Sequence, residues 1–110
     1  MKIIIVGAGD VGFHLAKLLS FESQDIFLVD MDAEKLEYAS NHIDVITLKG
    51  DATSVKLLKK INIEKADIFL AVTESQNTNF TLAVIAKKLG AKKTIARISN
   101  HEFSQTTDIN

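Results

Sequence analysis

Apolar residues in this chain gather into five short, β-branched runs: Ile3 to Val6, Ile26 to Val29, Val45 to Leu48, Ile68 to Val72 and Thr94 to Ile98. Continuous runs of this length suit strands buried on both faces. Between them, apolar positions recur at helical spacing. Val11, Leu15, Leu18 and Leu19 form one stripe, Leu36 and Ala39 a second, Leu57, Leu58 and Ile61 a third, and Leu82, Ile85, Ala86 and Leu89 a fourth. Asp32 is placed to cap the second helix, Thr53 or Ser54 the third and Asn77 or Thr78 the fourth, with Gly90 at the left-handed position after the last. Strand and helix thus alternate throughout. Parallel strands need crossover connections, so the pattern predicts an open, doubly wound parallel α/β sheet in three layers, with helices on both faces and a single domain.

The first strand-to-helix junction reads Gly7-Ala8-Gly9-Asp10-Val11-Gly12. A G-x-G-x-x-G motif alone is weak evidence, but here it follows a predicted strand and opens a predicted helix, as a dinucleotide-binding turn requires. In that reading Gly7 makes the tight turn, Gly9 lets the backbone approach a diphosphate, and Gly12 lets helix and strand pack closely, with free helix amides facing the anion. A carboxylate about 20 residues on should hold a ribose hydroxyl. Asp30 closes the second run and meets this requirement. Its neighbours are Met31 and Asp32, so a 2′-phosphate would face two negative charges, and NAD or a plain adenine nucleotide is favoured over NADP. Other polar residues follow the third and fourth strands, on the side where such sheets bind ligands. Asp51, followed by Ala52, can accept from an adenine amino group or cap the third helix, and Thr73, followed by Glu74, can touch ribose or phosphate. Arg97 sits inside the last apolar run, where a buried or half-buried cation needs a ligand phosphate or a carboxylate as partner.

Composition narrows the classes. The chain has 110 residues, 46% hydrophobic and 25% charged, with a net charge of -1 and no cysteine. That length suits one domain, the charge gives no reason to expect nucleic acid, and the lack of cysteine excludes disulfides and thiolate chemistry. No apolar run approaches the roughly 20 residues that span a bilayer, so direct membrane insertion is not expected and the chain reads as cytoplasmic. Enzymatic groups are sparse. Tyr38 is followed four residues later by His42 rather than lysine, and His14, His42 and the His101-Glu102 pair read as surface residues with no metal-ligand spacing. The alternative is a Rossmann fragment of an NAD-dependent oxidoreductase with its catalytic residues elsewhere.

Taken together, Gly7 to Gly12, Val29-Asp30-Met31-Asp32, Gly50-Asp51-Ala52-Thr53, Ala71-Val72-Thr73 followed by Asn79, and Thr94-Ile95-Ala96-Arg97 resemble the N-terminal nucleotide-binding domain of TrkA-type potassium-uptake regulators, also called KTN or RCK domains. The resemblance runs from Met1 to about Ile98. It implies a Rossmann-like, non-enzymatic regulatory subunit that binds NAD or NADH, or in relatives ATP or ADP. Such a subunit assembles into homodimers or rings and gates a membrane potassium transporter from the cytoplasmic side, peripheral to the membrane. By the same resemblance Gly7, Ala8, Gly9, Asp10, Val11 and Gly12 cradle the phosphates, and Asp30, with Met31 beside it, holds the adenosine ribose. Asp51 and Ala52 line the adenine, while Thr73, Glu74 and Arg97 sit near the phosphate or distal end.

There are departures. Relatives often carry acids just before the asparagine matching Asn79, where this chain has Gln76 and Asn77, and ATP-responsive relatives have a basic residue where this chain has Asp10, which favours NAD. The family domain also continues through a further helix and strand, so residues 1–110 are expected to be its truncated N-terminal part. Phe80, Ala83 and Val84 make the fourth helix apolar over more of its circumference than one sheet face needs; a subunit interface, enclosure within the domain or a further segment would each cover the surplus.

Overall fold

The computed structural model describes residues 1–22 and 25–98. Five parallel strands, β1 (Lys2–Val6), β2 (Asp25–Asp30), β3 (Ile46–Lys49), β4 (Ile68–Ala71) and β5 (Lys93–Ala96), form one sheet in the order β3-β2-β1-β4-β5. Four helices connect them: α1 (Asp10–Ser20), α2 (Ala33–His42), α3 (Val55–Lys60) and α4 (Gln76–Lys88), with a 3-10 turn at Ile63–Lys65. The order reverses between β1 and β4, which leaves a crevice at the carboxyl ends of those two strands.

β1 is the centre of the molecule, and its residues alternate between two cores. Ile3 and Ile5 face α1 and α2, together with Ala16, Leu36 and Ala39. Ile4 and Val6 face α3 and α4, together with Leu58, Ile61, Leu82 and Ala86. Full burial of each large aliphatic side chain stabilises the fold by about 1.5–3 kcal/mol, so the two-sided strand is where the sheet gains most. The expected three-layer, single-domain, doubly wound fold is therefore present, and the strand boundaries agree to within two residues.

Burial on both faces does not extend to the sheet edges. Ile46 in β3 is 50% exposed and Ile95 in β5 is 45% exposed, because each of these strands has a hydrogen-bonded neighbour on one side only. The stripe expected on α1 also needs correction. Leu18 is 66% exposed and Val11 is exposed, whereas the fully buried positions are Gly12 and Ala16, flanked by the half-buried Phe13, Leu15 and Leu19. Small residues face the sheet because α1 approaches it closely.

Caps follow local chemistry. Asp32 accepts from the N–H groups of Glu34 (2.9 Å) and Lys35 (3.4 Å), and Ser54 rather than Thr53 caps α3 through the Leu57 N–H (3.3 Å). On α4 the cap is Ser75, accepting from the Thr78 N–H at 3.2 Å, and not Asn77 or Thr78, which lie inside the first turn. Gly90 takes a φ of 111°, and its N–H and that of Ala91 close the end of α4 onto the carbonyls of Lys87 and Ala86.

Asp67 fastens the opposite, amino-terminal end of the sheet. Its carboxylate accepts the Lys2 N–H (2.7 Å) and pairs with Lys92 Nζ (3.3 Å), while its own N–H donates to the Lys2 carbonyl (2.9 Å). The Lys2 N–H first, and then Lys92, hold the Asp67 carboxyl below the usual carboxylate range. A depressed folded-state value means that the native protein binds fewer protons than the unfolded chain. The stabilisation is therefore complete above the ordinary value near 4 and is lost as pH falls through the lower folded value. Asp67→Asn is expected to melt a few degrees below the parent at pH 7, and thermal melts at falling pH should show the gap closing below about pH 4.

Candidate nucleotide-binding site

The glycine turn is built by close contact. Gly7 has a φ of 109°, and a Cβ there would lie 2.9 Å from the backbone of Val72, so both conformation and space require glycine. At Gly12 a Cβ would lie 1.6 Å from the Gly7 carbonyl oxygen. Gly9 differs, since nothing lies within 4 Å of the Cβ it lacks, and its backbone is extended (φ −74°, ψ −163°). One side of the turn is architecture and the other is open.

The backbone N–H groups divide the same way. Gly7 donates to the Val29 carbonyl (2.8 Å), and Ala8 donates to Asp30 Oδ2 (2.7 Å). Among the described residues no protein acceptor takes the N–H groups of Gly9, Asp10, Val11 or Gly12, the last three being the first of α1. Unpaired amides at a helix start form an anion site. Asp30 reaches the turn from the end of β2, and its other oxygen accepts the Asp32 N–H (2.8 Å), so it tethers the glycine turn while keeping lone pairs for further donors.

Gly9, Asp10, Val11 and Asp30 open on a crevice of about 500 Å³, a size suited to a small-molecule ligand. Gly7, Gly9, Asp10, Val11, Asp30, Met31, Asp51, Ala52, Thr73, Glu74 and Arg97 line it. Ala8 and Gly12, selected from the same motif, do not. They are buried, Ala8 with its N–H committed to Asp30 and Gly12 against Gly7.

Asp51 is exposed and accepts from Thr53 through both the hydroxyl (2.7 Å) and the N–H (2.9 Å). Those bonds, the hydroxyl first, lower its pKa, so it stays ionised and accepts hydrogen bonds only. It does not cap α3, a role Ser54 fills. Arg97 is exposed and follows β5, contrary to the expected buried or half-buried position within the strand. The strand ends at Ala96, and no described carboxylate lies within ion-pair distance of the guanidinium.

Three residues were missed in the sequence reading. Lys35, in the first turn of α2, brings a cation to the crevice wall shared with Asp30; its position three residues after the cap Asp32 was the available signal. Ser75, the α4 cap, also lines the crevice. Asn79 enters the reading only as a motif letter, yet it is 1% exposed and joins the ends of β4 and β5. By contrast, His14, Tyr38 and His42 lie on exposed helix faces outside the crevice, His42 stacking on Tyr38 at 4.0 Å. His101 and Glu102 lie outside the described residues. Among the described residues no helix is long and apolar enough to cross a membrane, and no cluster of metal-ligating side chains occurs.

A parallel sheet reversing order beside a glycine turn, with an acid at the end of the second strand, defines a Rossmann-like NAD(P)-binding fold. The chain belongs to the TrkA-N domain family, whose profile it matches over residues 3–108. It is 40% identical over 103 residues to a "Trk system potassium uptake protein TrkA homolog" of Archaeoglobus fulgidus, covering 94% of this chain and 23% of that protein. A homologue of the same name from Pyrococcus abyssi is 37% identical, with 91% of this chain and 44% of that protein covered. The chain thus spans between about a quarter and a half of the length of these relatives. Their names are those of potassium uptake proteins and not of enzymes.

Among solved structures, the NAD(P)-binding domain of an exopolyphosphatase-related protein from Archaeoglobus fulgidus is similar in fold, with a TM-score of 0.77 at 15% identity, covering 97% of this chain and 80% of that one. The TrkA-N domain of the inner membrane protein ybaL from Escherichia coli has a TM-score of 0.61 at 14% identity, covering 96% and 93%. A 3-hydroxyacyl-CoA dehydrogenase from Archaeoglobus fulgidus also shares the fold, at 22% identity with a TM-score of 0.62, covering 86% and 33%. Identities this low speak to the fold alone.

Replacing two glycines of one motif separates architecture from site. Gly12→Ala drives a methyl into a carbonyl and is expected to cost about 3 kcal/mol or more in denaturant unfolding, whereas Gly9→Ala should stay within about 1 kcal/mol of the parent.

Proposed function

We propose that this chain is the nucleotide-sensing part of a regulatory subunit of a Trk-type potassium uptake system, binding NAD or NADH and controlling a membrane potassium transporter. The observation that carries the reading is the set of unpaired N–H groups of Gly9, Asp10 and Val11, three residues that line the crevice, with the Asp30 carboxylate beside them. In this reading the amides hold the diphosphate, and Asp30 accepts from the adenosine ribose with Met31 against it. Asp51 and Ala52 line the adenine, and Thr73, Glu74 and Arg97 take the distal end. Gly7, Ala8 and Gly12 act by shaping the turn. Asp10, Asp30, Asp51 and Glu74 outnumber Lys35 and Arg97 around the crevice, which favours a dinucleotide over the more highly charged ATP, with ADP the nearer alternative.

The bound dinucleotide would serve as a sensed ligand and not as a hydride donor, a reading supported by relatives named as potassium uptake proteins. Its influence on the transporter is limited to its differential affinity for two states of the assembly. Assembly is supported by α4, on which Phe80 is 48% and Val84 57% exposed. The helix is thus not enclosed by the described part of its own domain, and a homodimer or ring would cover it. Residues 1–110 then form the N-terminal domain of a longer, cytoplasmic subunit held at the inner face of the membrane by its transporter.

Calorimetric titration with NAD, NADH, NADP, ATP and ADP tests the reading. Saturable binding of NAD or NADH is expected, weakened about tenfold or more by Gly9→Ala with unchanged melting. Binding of none of the five by the folded protein would contradict it. Sedimentation velocity of the same samples tests assembly, which Val84→Glu should abolish; a monomer throughout would refute it.

A further inference from the structure

We propose that Asn79 is a positioning residue of the nucleotide site, fixing Arg97 and the Thr73 turn in the arrangement that receives the ligand; the inference rests on the nucleotide-binding reading above. Asn79 is the one polar side chain fully buried among the described residues, and its amide is used to capacity. Oδ1 accepts from the Thr73 N–H (2.9 Å) and the Thr73 hydroxyl (2.7 Å), while Nδ2 donates to the carbonyls of Thr73 (3.0 Å) and Arg97 (3.0 Å). One side chain in the first turns of α4 thus ties together the segments that follow β4 and β5, and both Thr73 and Arg97 line the crevice.

The last of these bonds has a specific effect. The β4–β5 pairing ends at Ala71 and Ala96, after which Arg97 donates its N–H to the Ala71 carbonyl (2.9 Å). Asn79 takes the Arg97 carbonyl on the other side, so the backbone of Arg97 is held at both its polar groups beyond the end of the strand. The guanidinium, exposed and without a described carboxylate partner, then starts from a fixed root. Ordering a long cationic side chain at a surface opposes binding through lost entropy, and a pinned backbone removes part of that loss before the ligand arrives. A buried, fully bonded amide is suited to the task because it admits one arrangement of its partners, whereas an apolar side chain of the same size would leave the Thr73 N–H and the carbonyls of Thr73 and Arg97 without it.

A double-mutant cycle tests the inference. NAD affinity is measured by calorimetry for the parent, Asn79→Ser, Arg97→Gln and the double variant, with melting curves recorded for each; Asn79→Thr replaces Asn79→Ser should the latter not fold. The expected result is that each single variant weakens NAD by about tenfold and that the double variant is no weaker than the weaker single. A residue with only a structural role would lower the melting temperature while its effect on affinity multiplied with that of Arg97→Gln. Full multiplication of the two effects, or parent-like affinity in either single variant, overturns the positioning role. Failure of the folded parent to bind NAD overturns instead the nucleotide reading on which it rests.

Discussion

Helix α1 begins where the carbonyl oxygen of Gly7 lies against the α-carbon of Gly12, so closely that even a methyl group would collide with it. That contact sets the distance of α1 from the sheet, and Ala16, fully buried one turn later, maintains it. Because β1 is central and buried on both faces, the start of the helix is delivered to the end of the strand where the sheet order reverses. The unpaired amides of the first turn then point into a concave space and not along a flat surface. Everything proposed about ligand binding depends on this placement, since amides at a helix start are ordinary and their convergence on a crevice is not.

Asp30 joins the architecture to the chemistry. Its carboxylate holds the Ala8 and Asp32 N–H groups and so keeps the glycine turn against the end of β2, while remaining at the crevice wall. Replacing Asp30 therefore disturbs the turn as well as any ribose contact, which makes Gly9, open on its Cβ side, the cleaner position at which to probe binding. The charge pattern around the crevice has a similar double aspect. Lys35 and Arg97 line the crevice together with Asp10, Asp51 and Glu74, so a ligand meets both signs of charge.

Legibility from the sequence followed burial and local chemistry. The central strands were readable because a strand buried on both faces leaves a continuous apolar run, and the glycine turn because its conformational demands admit few residues. The edge strands β3 and β5 carry the same kind of run with half the burial, since periodicity registers the fold's apolar content and not the position of a strand within the sheet. On α1 the leucines carry the periodic apolar signal, whereas Gly12 and Ala16 are the buried positions, because a helix packed this tightly must face the sheet with small residues. The apolar run places Arg97 within the strand, buried or half-buried, because the end of an edge strand is set by pairing with β4, which the linear pattern does not contain. Asn79 meets Arg97 across 18 positions through a hydrogen bond that exists only once the chain has folded, and Lys35 joins the crevice lining only then.

The central claim is that the helix start, the end of β2 and the loop after β3 form one ligand site. Amide nitrogen–proton correlation spectra recorded during a titration with NAD test it most directly. The account predicts shifts that saturate together at Gly9, Asp10, Val11, Met31 and Ala52, with Lys2, Asp67 and Lys92 at the opposite end of the sheet unmoved. Shifts that never saturate, or that centre on the Lys2–Asp67 end while the glycine turn stays still, would contradict it.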